Sequence, residues 1–243
     1  MSVYASAYPE IEAGGFTRLD GTIQFFQRVQ ALIIGSNSVL DFGAGRGSAS
    51  EGTSAIRRNL TDLRAEGRIV VGVDVDEAIR ENPRLDKAIV SVDGRIPLGD
   101  NSVDVIVADH VLEHINDTDL VAQEFDRILK PGGWICARTP YLYSLLAICS
   151  TLIPNSAHKK VLRSAQPKGR PDRDVFPTRY RMNTVSILKR LFPPARWSHH
   201  SYTWSPEPAY HFGRPSLVWA LNLYQYLKKP FGGEVLMVFI RKK

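Results

Sequence analysis

Five short runs of almost unbroken apolar residues, at 38–42, 68–73, 88–92, 103–108 and 133–139, punctuate the first part of the chain. A strand with one wet face alternates apolar and polar residues, whereas strands covered on both faces read as continuous apolar runs, the mark of a parallel sheet. Longer amphipathic stretches separate these runs, so the pattern demands an α/β fold with helices packed over a parallel sheet. Asp117 or Thr118 is placed to cap one such helix, with Val121, Phe125, Ile128 and Leu129 on one face and Pro131-Gly132-Gly133 as its stop. Ile23, Phe26, Val29, Leu32 and Ile33 predict an earlier helix against the sheet edge, and VLMVFI within 234–243 predicts a closing strand.

Composition excludes several classes. With 44% hydrophobic and 23% charged residues over 243 positions, the chain is neither disordered, collagen-like nor a small disulfide scaffold. Cys136 and Cys149 have no metal-ligand spacing, and the N-terminus lacks a basic-then-apolar leader, which together predict a reducing, cytoplasmic setting. The apolar run 141–153 spans 13 residues, short of the roughly 18 needed to cross a bilayer, and reads as a buried or interfacial helix.

Charge is distributed unevenly. Residues 1–150 hold 14 Lys and Arg against 21 Asp and Glu, a balance of −7, while residues 151–243 hold 17 against 4, a balance of +13. The two parts are therefore expected to face different partners. The segment 158–181, HKKVLRSAQPKGRPDRDVFPTRYR, interleaves its basic residues with Phe176 and Tyr180. That chemistry suits a phosphate, a uronic acid, an anionic lipid surface or RNA, and equally a solvated loop tied by Asp172 and Asp174. Nothing in it matches an RNA-binding module, so a nucleic-acid partner is not expected.

The first apolar run ends in VLDFGAGRG, residues 39–47. Glycines at 43, 45 and 47 allow a sharp turn and close approach of backbone amides to a ligand. The spacing is GxGxG; a dinucleotide fingerprint needs its third small residue at position 48, where Ser48 stands, and a pyrophosphate would sit beside the carboxylate of Asp41. A NAD-dependent oxidoreductase is disfavoured on both grounds. A cationic ligand suits Asp41 better.

An acidic residue followed by GxGxG at a strand end resembles the first motif of the class I methyltransferases that use S-adenosylmethionine (SAM), of the type 11 kind. Later segments follow that family's order: VVGVDVD at 70–76, VDGRIPLGDNSVDVIVADHVLEHI at 92–115 and ILKPGGWICARTP at 128–140. The resemblance covers about residues 36–141. It implies that Asp41 acts near the methionine ammonium, that Gly43 and Gly45 line the nucleoside, and that Asp74 accepts the ribose hydroxyls. It implies likewise that Asp93 and the Gly94 amide meet the adenine, with Asp109 and His110 beside the sulfonium. Asp41 and Asp74 stand 33 residues apart, longer than the roughly 20 usual in related nucleotide folds, which keeps Asp76 as the alternative ribose acceptor.

His110-Val111-Leu112-Glu113-His114 also matches the H-x-x-E-H pattern of some zinc proteases, but that pattern needs a continuous helix, and here it follows a buried strand. Some related O-methyltransferases carry E-x-x-E-H at this place and hold a divalent metal, so His110, Glu113 and His114 form a metal-dependent alternative. The principal reading assigns no metal and makes His110 the general base or a pocket wall.

The expectation that results is one methyltransferase domain over residues 1–243, with a SAM-binding core at 36–141 and an acceptor-binding cap at 142–233. By resemblance the sheet has seven strands ordered 3-2-1-4-5-7-6, the last antiparallel, with helices on both faces. Tyr143, His158, Arg179 and Arg181 are the candidate acceptor contacts. The acceptor is expected to be a small molecule or glycan carrying negative charge, of a polysaccharide or secondary-metabolite pathway. A basic RNA- or membrane-surface binder on the same fold is the non-enzymatic alternative, and peripheral membrane contact belongs to the expected partners.

Overall fold

The computed structural model describes residues 3–47, 54–145, 147–148 and 177–243. They cluster into two compact units: the larger draws on 22–139, 178–202 and 236–243, and the smaller on parts of 1–21, 140–177 and 203–235.

The larger unit is built on a parallel sheet. Its first strands are β1 (Ser38–Phe42), β2 (Ile69–Asp74), β3 (Lys87–Val90), β4 (Val103–Asp109) and β5 (Leu129–Pro140). β1 lies between β2 and β4, with Asp41 level with Gly72 on one side and Val107 on the other. Three short strands follow, β6 (Trp197–His199), β7 (Tyr202–Trp204) and β8 (Val235–Lys242). The order is β3-β2-β1-β4-β5-β8-β6, with β6 antiparallel to β8 and β7 paired to β8 off the main path. This is the order the motifs imply, with the chain's last strand inserted beside β5 and one short strand added.

Helix α1 (Gly21–Leu32) buries Ile23, Phe25, Phe26 and Val29. It does not lie against an edge: Phe25 meets Phe239 of β8 at 5.9 Å, and Arg138 of β5 lies 5.6 Å from the Phe25 ring, so it covers interior strands. The periodicity located the apolar face correctly but carries no information on which strands that face meets. A short helix α2 (Ala55–Leu60) precedes β2. Helix α3 (Thr118–Ile128) starts where the Asp117 side chain accepts from the Leu120 amide at 3.0 Å, and it packs Phe125 edge-on against Phe42 of β1 at 5.0 Å.

The Pro131-Gly132-Gly133 triplet does not stop that helix. α3 already ends at Ile128, and the triplet lies inside β5 as a register shift: Val103 pairs with Leu129 and Val105 with Trp134. Glycine is required there, because a Cβ on Gly133 would stand 2.7 Å from the Asp104 carbonyl oxygen. Helix α4 (Val185–Leu191), capped by the Thr184 hydroxyl on the Ile187 amide at 3.3 Å, completes the larger unit.

The smaller unit is organised around Tyr8, Ala7 and Val218. Val218 belongs to α5 (Pro215–Lys228), whose Asn222 accepts a 2.6 Å hydrogen bond from the Tyr8 hydroxyl. Tyr4 donates to the Pro208 carbonyl at 2.8 Å and stands edge-on to buried His211 at 4.9 Å. No helix among the described residues is long and apolar enough to cross a membrane.

Candidate functional site

In an open parallel sheet the strand C-termini and the loops leaving them form the natural crevice. Here the crevice begins at the glycine loop. Gly43 donates its amide to the Val73 carbonyl at 2.7 Å, fastening the loop to β2. Its φ of +75° favours glycine, and an added Cβ would sit 2.2 Å from a methyl of Val111. At Gly45 φ is +51°, yet a Cβ would meet none of the described residues within 4 Å. The Gly45 amide donates to Asp74 Oδ2 at 2.9 Å. Asp74 Oδ1 accepts from the Asp76 amide at 2.9 Å, and each oxygen retains acceptor capacity for a ligand hydroxyl. Asp76 caps a short 3-10 turn, its Oδ1 accepting from the Ala78 amide at 2.9 Å.

Sequence reading missed the brace of this loop. Asn82, almost wholly buried, donates its amide nitrogen to the carbonyls of Ala44 at 3.1 Å and Gly45 at 3.2 Å. Its Oδ1 accepts from the Arg84 amide at 3.0 Å, and a Cβ on Gly47 would stand 2.4 Å from that oxygen. Asn-Pro at 82–83 reads in sequence as an ordinary turn, and nothing local announces that its side chain turns toward residues 44–45.

Asp41 is half-buried at the end of β1. Desolvation, followed by the negative charges of Asp109 and Asp74, pushes its carboxyl up to about 7, with the Arg84 guanidinium opposing. Three carboxylates therefore converge on one place, where a positive ligand group would relieve the repulsion. Asp93 is exposed in the turn after β3, its Oδ1 accepting from the Arg95 amide at 3.1 Å, while Gly94 adopts φ +78° with its Cα side against Leu120.

Asp109 closes β4 and is held by Arg138, its cross-strand partner on β5: Nε and Nη2 donate to the two carboxylate oxygens at 2.7 Å each. Arg138 is 8% exposed and donates also to the Thr22 hydroxyl at 3.1 Å. This bidentate clamp was not read from sequence, because only the register reveals that positions 109 and 138 face each other.

His110 turns the chain out of the sheet with φ +58°, a conformation that costs a non-glycine residue of the order of 1 kcal/mol and clusters at functional sites. The bond from its amide to the Arg138 carbonyl, 2.8 Å, secures the turn. Its Nδ1 lies 3.3 Å from Glu113 Oε1. Glu113 is 4% exposed; burial alone would raise its carboxyl, but the hydrogen bond to His110, the charge of that ring and the Thr139 hydroxyl hold it below the ordinary value. An ionised carboxylate only accepts, so the Nδ1 facing Glu113 carries a proton, while Nε2 stands 3.9 Å from Asp109 Oδ1. Glu113 Oε2 accepts from Thr139 at 2.8 Å, and the Thr139 oxygen accepts from Asn183 at 2.7 Å, both residues fully buried. Arg138 and Thr139, adjacent on β5, thus brace Asp109 and Glu113 from opposite faces of the sheet.

The Glu113 carbonyl accepts from the amides of Arg179 at 2.6 Å and Tyr180 at 3.1 Å, so the arginine segment is anchored to the His110 turn. Both arginines are exposed, and Arg181 donates to the Asn116 carbonyl at 2.9 Å. Tyr143 belongs to the smaller unit, exposed and edge-on to Tyr141 at 5.4 Å. His158, Ser48, Cys149, Arg170 and Arg173 lie outside the described residues. Among the described residues no group of three His, Cys, Asp or Glu side chains is arranged to hold a metal ion, and both oxygens of Glu113 are engaged by His110 and Thr139.

Residues 40–137 match the model of a family described as "Methyltransferase domain". A Mycolicibacterium smegmatis protein named "Probable S-adenosylmethionine-dependent methyltransferase" is 35% identical over 121 residues, covering 47% of this chain and 42% of that one. The ubiquinone biosynthesis O-methyltransferase of Albidiferax ferrireducens is 26% identical over 145 residues, covering 55% and 57%. A crystal structure of a SAM-dependent methyltransferase from Archaeoglobus fulgidus superposes with a TM-score of 0.54 at 18% identity, covering 90% of this chain and 91% of the other. Residues 40–137 thus resemble a methyltransferase domain in sequence, and the solved structure shares the fold. The chain spans about half the length of the curated relatives it matches, and the family-model match runs from β1 through the glycine loop into β5.

Proposed function

We propose that this chain transfers the methyl group of SAM to a small-molecule or glycan acceptor carrying negative charge. The observation that carries the cofactor half is the meeting of the Gly43–Gly47 loop, Asp41 and Asp74 at the ends of β1 and β2, with Gly45 between them. The residues fit the group. Raised first by desolvation and then by its acidic neighbours, Asp41 suits an ammonium; Asp74 retains lone pairs for ribose hydroxyls; and the turn of Asp93 and Gly94 offers an acceptor and an amide for adenine. When bound, SAM supplies a methyl group on a sulfonium, a leaving group good enough that the protein mainly aligns the acceptor and excludes water.

The protein's own part is then positional. His110, oriented by Glu113, offers Nε2 to take a proton from an acceptor hydroxyl or ammonium. Asp109, clamped by Arg138, keeps a fixed negative charge beside that imidazole at 3.9 Å. Arg179, whose amide donates to the Glu113 carbonyl, and Arg181, which donates to the Asn116 carbonyl, suit a carboxylate or phosphate on the acceptor.

Calorimetric titration with S-adenosylhomocysteine tests the cofactor half. A 1:1 complex is expected, weakened at least tenfold by Asp74→Ala; no binding by the wild-type chain overturns the proposal. The acceptor half is tested in a methyl-transfer screen, where Arg179→Lys and Arg181→Lys should raise the acceptor KM without changing S-adenosylhomocysteine affinity. Efficient methylation of a neutral acceptor, indifferent to these changes, would remove the arginines from the site.

A further inference from the structure

The solvent face of α5 is apolar. Trp219, Leu223, Tyr226 and Leu227 fall at i, i+4, i+7 and i+8, one stripe of the helix, and are exposed by 56%, 59%, 73% and 64%. The polarity is inverted: Asn222, a polar residue, turns inward to Tyr8, and Val218 is the helix's buried residue. Phe212 before the helix and Phe231 after it are exposed as well, by 51% and 80%. A single exposed Leu is ordinary, but a contiguous stripe of this size marks a surface that meets a partner.

The charge around the stripe says which partner. From 208 to 233 the sequence holds Arg214, Lys228 and Lys229 and no Asp or Glu, within a part of the chain whose balance is +13. Arg214 and Lys229 are exposed at the two ends of α5, while Lys228 is drawn to Glu234 at 2.6 Å. Trp and Tyr with an apolar body and a polar tip, beside the exposed basic side chains of Arg214 and Lys229 and with no acid within α5, suit the boundary between lipid headgroups and acyl chains. We propose that α5 is an interfacial helix that seats the protein on an anionic phospholipid bilayer, its apolar stripe below the headgroups and Arg214 and Lys229 among the phosphates. At 14 residues the helix is too short to span, so the attachment is peripheral and salt-sensitive.

Cosedimentation of the full chain with vesicles tests this without any methyl-transfer readout, so its outcome is separate from that of the methyltransferase reading. The wild type is expected to bind vesicles of phosphatidylcholine with about a third phosphatidylglycerol at least tenfold more tightly than pure phosphatidylcholine, and to lose most of that binding in high salt. Leu223→Gln with Leu227→Gln should cut binding at least tenfold, and Arg214→Gln with Lys229→Gln should remove the preference for anionic vesicles. Brominated lipid should quench the wild type more than Trp219→Phe. Folding of each variant is checked by circular dichroism and an unchanged melting temperature. Failure of the wild type to bind either vesicle, or binding untouched by the leucine changes, overturns the proposal. So does a dimer in analytical ultracentrifugation that dissociates with the same leucine changes, since the face would then belong to a second copy.

Discussion

The crevice end of β1, β2 and β4 and the outer face of α5 are built on opposite terms. In the crevice, polar groups are held by other groups of the chain: Asp109 by Arg138, Glu113 by Thr139, the loop carbonyls by Asn82. On α5 Trp219, Leu223, Tyr226 and Leu227 are mostly exposed and one polar side chain faces inward. Order in the crevice is bought by folding energy, so residues there serve fold and site at once. The α5 face adds little to folding, and its apolar character makes sense only toward something outside the chain. Substitutions should therefore be costly in the first region and nearly silent in the second.

The largest effect is expected at Arg138. Removing one partner of a buried, bidentate ion pair typically costs 3–5 kcal/mol, and Asp109 is partly open to water, so Arg138→Met should destabilise by about 3 kcal/mol in urea unfolding. The double variant with Asp109→Asn should recover part of it. If Arg138→Met proved neutral, the crevice would be no more tightly built than the surface and the contrast would fail.

Next come the glycines, which sharpen the contrast within the crevice itself. Gly43→Ala must displace Val111 and hold an alanine at φ +75°, so a loss of about 2 kcal/mol is expected together with loss of S-adenosylhomocysteine binding. Gly45→Ala meets no atom of the described residues and should cost only about 1 kcal/mol for its backbone, yet weaken the ligand just as much, because the new methyl enters the space beside Asp74. Equal affinity in Gly45→Ala and wild type would show that this space is not the ligand's.

A smaller effect is expected in pH. Asp41 is raised in the folded chain to about 7 from an ordinary 3.8, so the folded state holds the proton more tightly than the unfolded one. Stability linked to Asp41 is then greatest in acid and declines as pH rises between those values. Binding of a ligand ammonium favours the ionised form, so affinity should rise with pH and level off above about 7, with proton uptake by buffer below it. Calorimetry from pH 5.5 to 8.5 in two buffers reads this, and Asp41→Asn should flatten the curve. An affinity independent of pH in the wild type would place the ammonium elsewhere.

How far this was legible depends on whether the signal was local. Strand runs, the Asp117 cap and the glycine loop are written in neighbouring residues, and β1 falls at the residues the apolar run marks. Asp41, Asp74 and His110 stand at strand ends because the apolar pattern fixes where strands stop. The residues that hold them were not legible: Arg138 depends on β4–β5 register, Asn82 on a side chain reaching back 37 residues, Asn183 on a contact 44 residues away. Pro131-Gly132-Gly133 misled because helix stop and strand bulge use the same residue types for the same reason, freedom of φ. The inverted polarity of α5 is also invisible without burial, since the sequence PSLVWALNLYQYLK reads as apolar all round.

The smallest effect carries the other half of the comparison. Leu223→Gln with Leu227→Gln replaces two exposed leucines on α5 by a residue of similar helix propensity, so neither lost burial nor lost helicity should register. Surface substitutions of this kind stay within about 0.5 kcal/mol, whereas truncating two leucines packed in a core would cost upward of about 4 kcal/mol together. The measurement is urea unfolding of the double variant in the absence of lipid, with the slope of the transition compared to the wild type. A change under about 1 kcal/mol with an unchanged slope means that folding makes no use of the stripe and leaves it for an external surface. A loss of several kcal/mol would mean that the stripe is covered within the folded chain, and α5 would then belong with the crevice as part of the fold.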